Sequence, residues 1–195
     1  MIAAVIALLL AATVVGVLAA RRASAGPAGM LWAAIPAVLV GAAAIVALAA
    51  PAAHGAALAA VRAAAVLAAM TGGSALVTSA FALAGATGED DPSPQNDTDG
   101  ATAPPTDEPD GAAEDPVPAS PLRGGLSIGV LERAAIAVCV LANFGGGLAV
   151  IVAAKGLARY PELRHPGAAE QFIIGTFVSV LWACACAGVA VALGR

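Results

Sequence analysis

Residues 125–154 read GLSIGVLERAAIAVCVLANFGGGLAVIVAA, an apolar run whose only charges are Glu132 and Arg133. About 20 apolar residues, rising about 1.5 Å each, cross a hydrocarbon core of roughly 30 Å. The run is therefore long enough for one membrane span that carries an ionisable pair in its first third. Charges at that depth are costly and face a partner or a cavity. Neighbours on a helix point about 100° apart, so Glu132 and Arg133 do not neutralise each other and each seeks its own partner. Two readings follow: a buried site or helix–helix clamp, or a helix that starts later and leaves the pair at the interface.

Working outward, four more runs have the same character. Ile2 to Ala20 carries no charge and is followed by Arg21-Arg22. Its rival reading, a cleaved signal peptide, lacks the basic residues expected ahead of the apolar run. Leu31 to Ala50 has Pro36 in its first turns, where a missing N–H costs least, and Pro51 closes it. Val61 to Ala84 has Arg62 at its start and Gly72-Gly73-Ser74 in its middle, which weakens the helix but permits close packing. Ala168 to Leu193 is the last. The chain has 195 residues, 60% hydrophobic and only 11% charged, and its mean hydropathy is +0.89. Soluble domains run near half apolar and a quarter charged.

The charges are unevenly spread. Between Ala86 and Pro121 lie ten acids and eight prolines, with no Lys or Arg among them. Such a stretch buries too little apolar surface to offset its ordering entropy. The expectation is an all-α integral membrane protein of five transmembrane helices in a 3 + 2 arrangement. Residues 1–85 form a three-helix module, 86–124 a disordered acidic linker, and 125–195 a two-helix module with a basic connecting loop. Basic residues divide almost evenly between the two sides of such a five-span chain, five against four, so the positive-inside rule is nearly balanced. The dense basic loop after the fourth span favours a cytoplasmic N-terminus and places the linker outside. The richness in Ala and Gly, with Arg exceeding Lys, points to a bacterium of high genomic GC content and hence to the cell membrane.

The polar chemistry concentrates in the last third. Lys155 and Arg159 share a helix face at i,i+4, where like charges repel unless an anion or carboxylate bridges them. Glu162 and Glu170 are the available carboxylates. A polar cap over the helix pair and a site for a lipid headgroup or other anion both fit this pattern. In an antiparallel pair of spans, Asn143 falls at the level of Thr176 or Ser179, where an interhelical hydrogen bond contributes on the order of 0.6 kcal/mol. Cys139 and Cys184 fall at equal depth too, but no His or acid joins them. Unpatterned Cys in apolar helices act as small hydrophobes, so no metal site is expected. No cofactor motif is present, and no basic stripe with interleaved aromatics marks a nucleic-acid surface. Glu132 or Glu170 is a conceivable general base, but no second catalytic group is positioned beside either.

The stretches Gly129-Val-Leu-Glu132-Arg133, Ala153-Ala-Lys155-Gly-Leu-Ala-Arg159-Tyr-Pro-Glu162 and Ala169-Glu170-Gln-Phe-Ile-Ile-Gly175-Thr176, closing with Ser179, are informative together. Their order and spacing resemble the C-terminal module of a bacterial membrane family known as a domain of unknown function, often found beside SatD-type proteins. The likeness covers about Gly125 to Leu193. It departs where the family pattern has Ser (Gly156 here) and an aromatic residue (Gln171 here). The resemblance implies a membrane location and a shared charged constellation. The functional expectation is a structural or regulatory membrane protein whose C-terminal helical hairpin binds lipid or a membrane partner, another copy of the chain included. The alternative is a small oligomeric transporter or channel.

Overall fold

The computed structural model describes residues 1–22, 27–84, 125–164 and 166–195, without the side chains of residues 27, 28, 125, 126 and 162. The linker expected over 86–124 lies outside the described residues. The regular structure described is helical throughout. It comprises α1 (Ile2–Arg21), α2 (Pro27–Ala49), α3 (Gly55–Ala84), α4 (Gly125–Leu141), α5 (Gly145–Ala158), a 3-10 turn (Glu162–Arg164) and α6 (Pro166–Leu193). Helices α1, α2, α3 and α6 are long and apolar enough to cross a membrane. The described residues form one compact unit.

Packing within this unit reverses the order of a water-soluble bundle. The buried positions are mostly small, among them Ala12, Ala43, Ala65, Ala68, Ala183 and Ala187. Large apolar side chains point outward: Leu31 is 71% exposed and Ile45 70%. In water so much exposed apolar surface marks a docking or membrane site. In lipid, burying a leucine gains little, and helices associate through van der Waals contact between small residues.

Helix α3 is the centre of the arrangement. Its Gly72 meets Gly16 of α1 so closely that a Cβ on Gly16 would stand 2.9 Å from Gly72 Cα. A Cβ on Gly72 itself would overlap the Trp182 ring of α6. That indole donates Nε1–H to the Ala68 carbonyl at 3.2 Å, which satisfies the one polar atom of an otherwise apolar side chain. Helix α6 runs antiparallel to α3. Gly194 lies against Leu58 near one end, and Gly175 lies against Phe81 near the other. Ala53, between α2 and α3, donates its N–H to the Leu193 carbonyl at 2.7 Å and ties down the first of those ends.

The fourth apolar run departs from expectation. Gly125 to Ala154 is not one span, because α4 stops at Leu141 and α5 starts at Gly145. Asn143 takes a φ of +53°, the left-handed conformation that Asn tolerates better than most residues. Phe144 N–H bonds to the Cys139 carbonyl at 2.8 Å, and Asn143 N–H to that of Val140 at 3.1 Å. These 6→1 and 5→2 bonds define a Schellman stop. Beyond it the chain turns back. Gly147 lies against the Cys139 thiol, and Lys155 Nζ reaches Glu132 Oε2 at 2.5 Å. In one straight helix those two residues would stand about 35 Å apart. Three consecutive glycines after Phe144 allow the approach, since a side chain at Gly147 would strike both Cys139 and Phe144. Hydropathy counts apolar residues and is blind to this stop.

Two smaller corrections concern helix starts. Helix α2 opens at Pro27, so Pro36 lies inside it rather than in its first turns. Helix α3 opens at Gly55, a residue with φ +58°, ahead of the expected Val61. The hairpin turn makes a prediction about stability. Asn143→Val forces a β-branched residue into the left-handed region and is expected to cost about 1–2 kcal/mol, whereas Asn143→Gly is expected to be near neutral. Denaturation of the purified protein in mild detergent measures both.

Candidate functional site

Glu132 and Arg133 leave α4 in different directions and take different partners. Glu132 turns toward α5 and pairs with Lys155, with their side chains 17% and 26% exposed. Arg133 turns inward and is only 4% exposed. Its side chain lies across Gly73 of α3, where a Cβ would stand 2.6 Å from Arg133 Cδ. Nε and Nη2 both donate to the Met70 carbonyl, at 3.3 and 2.9 Å. Nη2 also donates to Ser74 Oγ at 3.4 Å, and Nη1 to Ser179 Oγ at 3.4 Å. Every acceptor is neutral. A guanidinium has five N–H donors, and these bonds engage four, leaving one on Nη1. That nitrogen lies toward Gly129, at 3.3 Å from where a Cβ would be.

Beside Arg133 is an open cavity of about 270 Å³, between α3, α4, α6 and the end of α5. Its polar wall is made of Ser74, Arg133, Lys155, Arg159, Gln171, Thr176 and Ser179. Val77, Phe81 and Phe172 form the apolar part of the rim. Lys155 lies within α5, and Arg159 caps that helix with its N–H on the Lys155 carbonyl at 3.3 Å. The i,i+4 pair thus presents both cations to one space. Glu132 sits behind Lys155 in a narrower cleft with Ile136, Ile151 and Thr176.

Thr176 is buried, and its hydroxyl has no hydrogen-bond partner. Four other helical hydroxyls turn back to their own helix: Thr13 to Leu9, Thr71 to Leu67, Thr78 to Ser74 and Ser79 to Ala75. Ser74 and Ser179 meet Arg133, whereas Thr176 stands in the cavity wall without a partner.

Of the residues singled out in the sequence, Glu132, Arg133, Lys155, Arg159, Thr176 and Ser179 converge here. Glu170 is exposed on α6 and does not line the cavity. The side chain of Glu162 is outside the described set. Asn143 is exposed at the hairpin turn and forms no bond to Thr176 or Ser179. The reversal at that turn places Ile151, Val152 and Lys155 near the α6 pair instead. The α3 contribution, Met70, Gly73 and Ser74, was missed from sequence. The one available signal was Gly72-Gly73-Ser74, a gap in an Ala-rich helix that admits a large side chain.

No protein-family model, curated protein or solved structure matches the chain.

The Glu132–Lys155 pair closes the open end of the hairpin, which gives a second prediction. Glu132→Gln and Lys155→Met each strand a half-buried charge and are expected to cost roughly 1–3 kcal/mol. The double variant should cost clearly less than their sum, with a coupling of about 1 kcal/mol in a double-mutant cycle. Strict additivity would show that the pair does not hold α5 to α4.

Proposed function

We propose that this chain is a multi-pass integral protein of a bacterial cell membrane, structural or regulatory in role, whose unit α4–α6 docks a lipid or membrane partner. The observation that carries the reading is the convergence of the charges on one cavity at one end of the bundle, while α1–α3 contribute almost no other polar chemistry. The resemblance of residues 125–193 to a family of bacterial membrane proteins points the same way.

The reading includes a topology. Helices α1, α2, α3 and α6 span the bilayer, and α4–α5 is a re-entrant hairpin that enters and leaves on one side. At about 25 and 21 Å the hairpin's helices are shorter than the hydrocarbon core, and irregular backbone at membrane depth persists where protein covers it. The end that holds the cavity also holds Arg21, Arg22, Lys155, Arg159 and Arg164, while Arg62 and Arg195 lie at the other. Among the described residues, with Arg133 interior, this is five against two, and under the positive-inside rule it supports a cytoplasmic cavity end. This reverses the orientation favoured by sequence. Aromatic side chains support an interface at that end: the Arg22 guanidinium lies 4.9 Å from the centre of the Trp32 ring, and that of Arg164 lies 5.9 Å from Tyr160.

Cysteine labelling in intact cells tests the topology, in a background without the three native cysteines. Ala52→Cys should react with a membrane-impermeant maleimide from outside, and Tyr160→Cys only after permeabilisation. The opposite pattern would discard the topology. The docking role is tested by crosslinking in native membranes followed by affinity capture. Arg159→Ala is expected to lose the captured lipid or protein while leaving folding intact, and equal capture by the variant and the parent chain would remove the reading. The broken helix favours one alternative, a transport path lined by the hairpin. Ion flux above that of empty proteoliposomes would support it.

A further inference from the structure

We propose that the cavity beside Arg133 is a binding site for a single phosphate-type oxyanion, reached from the end of the bundle where α5 ends and α6 begins. The proposal deepens the docking reading above and rests on it for the side of entry.

Charge gives the first reason. Arg133, Lys155 and Arg159 line the cavity, and Lys155 is paired with Glu132. The Arg133 guanidinium is buried among neutral acceptors with no carboxylate of its own. A buried charge left without a counter-charge is strongly destabilising. An anion in the cavity removes that cost.

Donor geometry gives the second. The N–H left over on Arg133 Nη1 lies on the Gly129 side, and Gly129 lines the cavity. Lys155 and Arg159 approach from α5, and the buried Thr176 hydroxyl, which lacks a partner, stands in the opposite wall on α6. Donors converging from three helices suit a tetrahedral oxyanion, whose oxygens point in several directions and accept charge-assisted bonds well. Size gives the third. At about 270 Å³ the space falls at the low end of ligand pockets, which run about 300–1,000 Å³. That space is ample for one phosphate group. The apolar rim of Val77, Phe81 and Phe172 leaves room for the group to be the headgroup of an anionic lipid as well as free phosphate.

The experiment uses the full chain. In detergent, its melting temperature is followed against sodium phosphate, with sodium chloride at matched ionic strength to remove screening. In a second arm, stability is compared in nanodiscs of phosphatidylglycerol and of phosphatidylcholine. A saturable rise with phosphate assigns the free anion. A rise in phosphatidylglycerol alone assigns the lipid headgroup. In either case Arg159→Gln should weaken the effect about tenfold, the worth of one charge-assisted hydrogen bond. Thr176→Val should weaken it a few-fold, and Thr176→Ser should restore it. These variants avoid Arg133, whose loss breaks the bonds that tie α4 to α3 and α6. No stabilisation in either arm, or equal responses from the parent chain, Arg159→Gln and Thr176→Val, overturns the proposal. Failure here with Arg159-dependent capture intact removes the anion site and leaves the docking reading. Anion binding without any captured partner or lipid does the reverse.

Discussion

A guanidinium surrounded by helices and held only by neutral acceptors constrains everything near it. Arg133 needs a carbonyl within reach of two of its nitrogens, and Met70 supplies one. That requires the side chain to lie flat on α3, which in turn requires that Gly73 have no Cβ. It also needs hydroxyls from two different helices, Ser74 and Ser179. Three helices are therefore fixed in register by one side chain. In a low-dielectric setting each of these bonds is stronger than in water, and each one lost leaves a costlier gap.

The same demand explains the neighbouring glycine. Gly72 receives the Trp182 ring and Gly16 of α1, while Gly73 receives Arg133. Two adjacent positions on α3, about 100° apart, thus seat different partners on different faces. The remaining interfaces are largely alanine, whose small side chain costs no rotamer entropy and lets backbones approach, with a few larger residues such as Leu9, Val61 and Leu193 among them. Many other large apolar residues are left for the outside. The division of labour is between a thin polar seam at the centre and many small contacts around it.

Much of this was legible from residues alone. The apolar runs gave α1, α3 and α6 to within a few residues of their ends, except for the start of α3, because length and composition suffice for that. The separate partners of Glu132 and Arg133 followed from helical geometry. The convergence of Lys155 and Arg159 followed from their i,i+4 spacing. What did not follow was the turn at Asn143. Within an unbroken apolar run, one residue with positive φ leaves no mark on hydropathy, although Asn143 before three glycines has the chemistry of a helix stop. Missing it misplaced Asn143 itself and removed the partner expected for Thr176. The α3 half of the site was hidden for a different reason. Its contributions are a backbone carbonyl and the absence of a side chain, and neither is a residue type that can be searched for.

The partners of Arg133 differ in when they are synthesised. Met70 and Ser74 precede it in the chain, and Ser179 follows it by 46 residues. The Glu132–Lys155 contact, by contrast, closes within 23 residues. A chain made from its N-terminus can therefore fold the hairpin on itself and lay it against α3 early, but the guanidinium gains its α6 partner only when α6 arrives. Helix α6 is the piece that completes the polar seam. Until it is in place, Arg133 has only its α3 acceptors, and the α6 side of its guanidinium has no protein acceptor from Ser179.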